Sequence, residues 1–119
     1  MRLQKLYTAL SVGDLARAQD WYTRLLGRSP DVRPMPSLIQ WETGPGGGLQ
    51  LTSDGSLGGQ DGMSLVVDDV KAERARLAAV GIALGDSFQG SYSTLAQVRD
   101  PDGNLIVLAT PPDPAYPKA

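Results

Sequence analysis

Any chemistry in this chain is done without histidine or cysteine, since neither occurs among its 119 residues. That removes thiol nucleophiles, Ser-His pairs, disulfides and zinc sites built on those side chains. Tyr7, Glu42 and Arg99 are candidates for proton transfer or charge stabilisation in a metal-free reaction. Beside them stand Gln40, Gln50 and Gln97, whose amides donate and accept hydrogen bonds without carrying charge. Such groups suit a polar organic ligand better than a phosphate or an ion. Two tempting motifs have plainer readings. Asp100-Pro101-Asp102-Gly103 lacks the further ligands and spacing of a calcium loop and reads as a turn. Gly46-Gly47-Gly48 lacks the strand-to-helix setting and the lysine of a phosphate loop and reads as part of a hairpin.

These residues need a scaffold. A 41% hydrophobic content supports one compact domain, and charged residues, 20% of the chain, nearly cancel to a net charge of -2. With no basic field to hold phosphate backbones, nucleic acid is not an expected partner. The apolar stretch Leu6 to Val12 is too short for a signal peptide or a membrane span. No membrane partner and a cytoplasmic location are therefore expected.

Leu3 to Val12 alternates as a half-buried strand, with Tyr7, Ala9 and Ser11 on one face and Leu6, Leu10 and Val12 on or near the other. Asp14 is a good N-cap for a helix carrying Leu15, Ala18, Tyr22, Leu25 and Leu26, which Gly27 ends. The proline-rich Ser29 to Pro36 can supply only a short edge strand. Ser37 to Thr43 and Gly47 to Ser53 read as a hairpin around Gly44-Pro45-Gly46. Asp54 to Asp61, rich in glycine, reads as a flexible connector.

After that connector the pattern begins again. A shift of 55 lays Leu65, Val67, Asp69, Val70 and Leu77 on Leu10, Val12, Asp14, Leu15 and Tyr22. A shift of 57 lays Leu95, Gln97, Gly103 and Leu108 on Leu38, Gln40, Gly46 and Leu51. Two blocks in the same order point to a duplicated β-α-β-β-β unit: unit one at 1–54, a linker at 55–60, unit two at 61–110 and an extended tail at 111–119. Gly81 should end the second helix as Gly27 ends the first.

The strand leading into Asp14-Leu15, the helix end Trp21-Tyr22-Thr23-Arg24-Leu25-Leu26-Gly27, the junction Val66-Val67-Asp68-Asp69-Val70 and the turn Asp100-Pro101-Asp102-Gly103-Asn104 together resemble the vicinal-oxygen-chelate superfamily. That superfamily includes glyoxalase I, extradiol dioxygenases, fosfomycin-resistance proteins and bleomycin-binding proteins. The resemblance covers nearly the whole chain. It implies an α+β fold of two βαβββ units forming a cupped eight-stranded mixed sheet with helices on the outer face. The concave face would hold the site, and homodimers are common. The family's metal-ligand positions carry over to Tyr7, Gln50, Gly62 and Val107, a phenol, an amide, no side chain and an isopropyl group. That set lacks the donors a divalent cation needs, so neither a metal nor another cofactor is expected.

Strand parity fills the proposed cup. With Tyr7 and Gln50 inward, alternation adds Ala9, Ser11, Leu38, Gln40 and Glu42 in unit one, and Ser64 and Val66 in unit two. Pairing across the Asp100 turn puts Gln97 and Arg99 on one face with Leu105 and Val107. The expected ligand contacts are thus Tyr7, Gln40, Glu42, Gln50, Gln97, Arg99 and Val107. Trp41, of opposite parity, should pack beneath a helix, whereas Trp21 is expected half-exposed at a dimer contact or the rim of the cup. Phe88 and Tyr92 read either as a lip over the cavity or as anchors of a loop. The expected function is metal-independent binding of a small molecule, such as an antibiotic or another polar aromatic compound. The alternative is a lyase or dioxygenase-like enzyme with a non-standard or relocated active site.

Overall fold

In the computed structural model, which describes residues 1–53 and 61–118, the chain forms two compact units. One comprises Met1–Asp61 with Asp100–Asn104, the other Gly62–Arg99 with Leu105–Ala119. The first carries β1 (Leu6–Ser11), α1 (Leu15–Leu26), β2 (Val32–Met35), β3 (Leu38–Gly44) and β4 (Gly47–Thr52). The second carries β5 (Gly62–Val66), α2 (Val70–Ala79), β6 (Phe88–Gln89), β7 (Thr94–Arg99) and β8 (Leu105–Ala109).

Both units are βαβββ, with strand orders β1-β4-β3-β2 and β5-β8-β7-β6. In each, the first and last strands run parallel and the remaining pairs antiparallel. Parallel neighbours need a long crossover, which the helix and the intervening strands provide. The offsets legible in the sequence survive in the pairing. Leu10 lies beside Leu51 as Leu65 lies beside Leu108, and Gln40 opposes Gln50 as Gln97 opposes Val107. The eight strands of this α+β fold thus form two four-stranded mixed sheets. The glycine-rich connector falls, apart from Asp61, outside the described residues.

Helix boundaries follow from capping chemistry. The Asp14 carboxylate accepts from the Arg17 N–H at 3.0 Å, and Gly27, at φ 75°, closes α1 by donating to Thr23 O. Asp69 accepts from the N–H groups of Lys71 and Ala72. Beyond α2, Gly81 takes φ 82° and Ile82 N–H donates to Leu77 O, satisfying a terminal carbonyl.

Alternation sets what is buried. In the first unit Leu10, Ile39, Trp41, Leu49 and Leu51 meet Leu15, Ala18, Tyr22 and Leu25 of α1. Trp41 is fully buried, and its indole N–H donates to Arg28 O at 2.9 Å. Trp21 departs from expectation, being only 8% exposed and packed edge-on against Tyr22 at 4.9 Å. The apolar stripe of a helix is wide enough to take in a residue three after Ala18, so Trp21 belongs to the core. In the second unit Val70, Leu77, Ala96, Ile106 and Leu108 are buried.

Strand β2, which holds Pro34, is exposed along its length and pairs with β3 only through Val32 and Met35, with a register shift between them. That is the behaviour proline imposes on an edge. The tail turns back instead of trailing away. Asp113 N–H donates to Tyr92 O at 2.8 Å, the Asp113 carboxylate accepts from Ala115 N–H, and Tyr116 N–H donates to Asp113 O. Aspartate followed by proline is a turn-starting pair, and Pro114 presets the backbone.

Candidate functional site

Strands β1, β4 and β3, adjacent in the first sheet, place side chains in rows on the face turned away from α1. One row runs Tyr7, Gly48, Glu42; the next Ala9, Gln50, Gln40; the third Ser11, Thr52, Leu38. Parity alone gives this face its composition: an aromatic hydroxyl, a carboxylate, two amides and two smaller hydroxyls.

Within the first two rows the polar groups form one connected network. The Tyr7 hydroxyl donates to Glu42, lying 2.7 and 2.8 Å from the two carboxylate oxygens. Gln40 Nε2 donates to Glu42 Oε1 at 2.8 Å and approaches the Tyr7 oxygen at 3.2 Å. Gln50 Nε2 in turn donates to Gln40 Oε1 at 2.8 Å. Lys5 Nζ stands 3.8 Å from Glu42 Oε2 at the solvent side. Each donor thus fixes the orientation of the next group.

Gly48 makes the long reach from Tyr7 to Glu42 possible. These two residues sit on strands separated by β4, and the position between them has no side chain. A Cβ at Gly48 would lie 1.9 Å from Trp41 O, so the strand crossing itself demands glycine.

The carboxylate is also anchored through its backbone. Glu42 N–H donates to the Asp31 carboxylate at 2.6 Å, and Arg28, paired with Asp31, donates to Glu42 O. Donation from Tyr7 first, and from Gln40 second, holds the Glu42 carboxyl below its ordinary range, with partial desolvation opposing. The same bond, helped by desolvation, pushes the Tyr7 phenol upward. At neutral pH this pair is therefore an ionised carboxylate and a firmly protonated phenol, a poor base and a poor acid.

The other sequence-predicted residues lie in the second unit. Gln97 opposes Val107, and Arg99 opposes Leu105, so all three expected contacts share a face of the second sheet with Ser64. Gln97 and Arg99 are exposed and Val107 is half-buried. The metal-ligand positions implied by the resemblance do not fit a cation. Tyr7 is a protonated phenol donating to Glu42, Gln50 offers one neutral amide oxygen, Gly62 has no side chain and Val107 offers only carbon. Among the described residues no group of three or more acidic side chains is arranged to hold a metal.

Sequence reasoning missed Lys5, Arg28, Asp31 and Gly48. The first three reach Glu42 from a terminus and a loop, where no periodicity points. Gly48 carried a signal that went unused: the row partner of Tyr7 is the glycine that leaves the path to Glu42 clear.

Comparison with known proteins agrees with this architecture. The model of the Glyoxalase/Bleomycin resistance protein/Dioxygenase superfamily matches residues 6–108. A glyoxalase/bleomycin resistance protein from Catenulispora acidiphila superposes with a TM-score of 0.82 at 24% identity, covering 92% of this chain and 99% of that one. TnmS3, an antibiotic binding protein from Streptomyces sp. CB03234, superposes with a TM-score of 0.79 at 27% identity, covering 90% of this chain and 94% of that one. A separate match, 38% identical over 50 residues, is to a peptidyl-tRNA hydrolase of Chlorobium phaeovibrioides. It takes in 42% of this chain and only 26% of that protein, so the chain spans about a quarter of that relative. With the family model matching residues 6–108 and the βαβββ unit present twice, the chain belongs to the glyoxalase/bleomycin resistance protein/dioxygenase superfamily.

Proposed function

We propose that this protein binds a small polar or aromatic compound without transforming it. The observation that carries the reading is the network of Tyr7, Glu42, Gln40 and Gln50, in which the two titratable groups hold their protonation states against neutral pH. Such a surface offers an aromatic ring, one fixed negative charge and neutral hydrogen-bonding groups, and it has no proton to exchange. The name of the Streptomyces relative, an antibiotic binding protein, supports the same class of activity. Antibiotic sequestration is the specific role we favour. Gln97, Arg99 and Val107 are proposed as ligand contacts on the second sheet.

A homodimer and a cytoplasmic location complete the proposal. Val32 and Met35 on the edge strand are 46% and 49% exposed, the kind of apolar edge that a second copy covers. Light scattering at micromolar concentration should report twice the chain mass.

Native mass spectrometry of freshly purified protein tests the binding role, the expected result being a retained organic molecule. Compounds found by thermal shift should then bind Tyr7→Ala and Gln50→Ala about five- to tenfold more weakly by calorimetry, as expected for loss of one packing or hydrogen-bonding partner. Equal affinity for wild type and both variants would overturn the assignment of this face. Chemical conversion of a bound compound would revive the lyase or dioxygenase alternative.

A further inference from the structure

The second unit holds a cavity of about 350 Å³ whose residues take no part in the polar network described above. Its floor is one sheet row, Val66, Ala109 and Leu95, in register across β5, β8 and β7. Its wall is built from the β6–β7 turn and the tail. Tyr92 and Tyr116 meet edge to face with ring centroids 5.3 Å apart. The turn that presents Tyr116 is secured by Asp113, which donates to Tyr92 O and caps Ala115 N–H. Gly90 is confined by Leu95, whose Cδ1 would stand 2.9 Å from an added Cβ, so the loop closes tightly on the floor.

We propose that this cavity is a binding site for an uncharged, flat aromatic compound of about two fused rings. None of the lining side chains carries a charge at neutral pH, which argues against an ionic ligand. The volume falls at the small end of the range that ligand pockets occupy, about 300 to 1,000 Å³. Two tyrosine rings at right angles give one face for stacking and one edge for contact, the arrangement aromatic groups favour. The hydroxyls of Ser91 and Ser93, also in the lining, supply polar partners for a single ligand hydroxyl or carbonyl. Val66 is 65% exposed and Tyr116 53% exposed, so a ligand would cover apolar surface now facing water. Because the wall comes from the tail, the site exists only while residues 113–116 are folded back.

The test uses the full chain and 1-naphthol as probe, followed by nuclear magnetic resonance. Saturable shifts are expected at the backbone amides of Val66, Leu95, Ala109 and Tyr116. Tyr116→Ala should weaken binding about fivefold or more, whereas Tyr116→Phe, which keeps the ring, should stay within about twofold of wild type. Circular dichroism should give all three proteins the same melting temperature, since the ring lies on an exposed tail. Equal affinity for Tyr116→Ala, absence of saturable binding, or shifts centred on Tyr7, Gln40 and Gln50 would each overturn the proposal. The last of these outcomes would leave the first-unit site standing.

Discussion

Tyr7 and Glu42 are joined across an intervening strand, their side chains meeting over the bare backbone of Gly48. The contact defines the polar face more than any single residue does, because Gln40 donates to the same carboxylate and Gln50 in turn donates to Gln40. Gly48→Ala should be severe, since the new methyl would sit 1.9 Å from Trp41 O. Urea unfolding is expected to show a loss of more than about 2 kcal/mol, the cost typical of a backbone clash in a central strand. A loss within error of zero would mean that β4 can move without cost.

The acid limb of the stability profile should report Glu42. Its folded-state pKa is lowered, chiefly by the Tyr7 hydroxyl, so its contribution is present above the ordinary value of 4.5 and disappears as pH falls through the folded value. Asp31, lowered mainly by the Glu42 N–H, acts in the same sense. Glu42→Gln should therefore be less stable than wild type near neutrality, and the two should converge as pH falls below about 4. A gap that stays constant down to acid unfolding would remove the carboxylate from the account.

Much of this was legible in the chain. Asp14 and Asp69 cap the helices that their spacing announced, and the offsets of 55 and 57 are those by which Leu10 and Leu51 map to Leu65 and Leu108. Parity put Tyr7, Gln40, Glu42 and Gln50 on one face because alternation in a strand has only two outcomes. What parity cannot give is partner choice. That Glu42 takes Tyr7 instead of Arg28, and that Arg28 takes the Glu42 carbonyl, depends on loop geometry after Gly27. The burial of Trp21 is not legible, because helical spacing fixes a direction whereas the width of the buried stripe depends on what packs there. The docking of the tail rests on one ring contact and a few backbone bonds that leave no periodic trace.

Metal should not alter this protein. Chelators are expected to leave the melting temperature unchanged, and zinc, nickel, iron or manganese should raise it no more than they raise that of a Tyr7→Phe, Gln50→Leu variant. The basis is the mismatch at Tyr7, Gln50, Gly62 and Val107, which supply too few donors to offset cation desolvation. One tightly held ion per chain, lost together with stability on chelation, would place a site elsewhere in the fold.

At alkaline pH the controlling group should be Tyr22. Its hydroxyl donates to Asp100 Oδ2 at 2.7 Å inside the first unit, and Asp100 also accepts from Asp102 N–H, Asn104 N–H and Asn104 Nδ2. Burial, and then the bond to Asp100, pushes the Tyr22 phenol far above its ordinary value of 10.0. A raised pKa contributes stability that is complete below the unfolded value and is lost as pH rises past it, because only the unfolded chain can then release the proton. Wild-type stability should accordingly fall above about pH 10. Tyr22→Phe deletes both the proton and the bond. It should cost about 1 to 2 kcal/mol at neutral pH, since Asp100 keeps its other partners. Above pH 10 its stability should decline less steeply than that of wild type, with Tyr7 left as a raised phenol in both proteins. Parallel alkaline limbs in the two proteins, measured by urea unfolding at stepped pH, would show that Tyr22 ionises as readily in the folded unit as in the unfolded chain, and the buried Tyr22–Asp100 bond would lose its place in the fold.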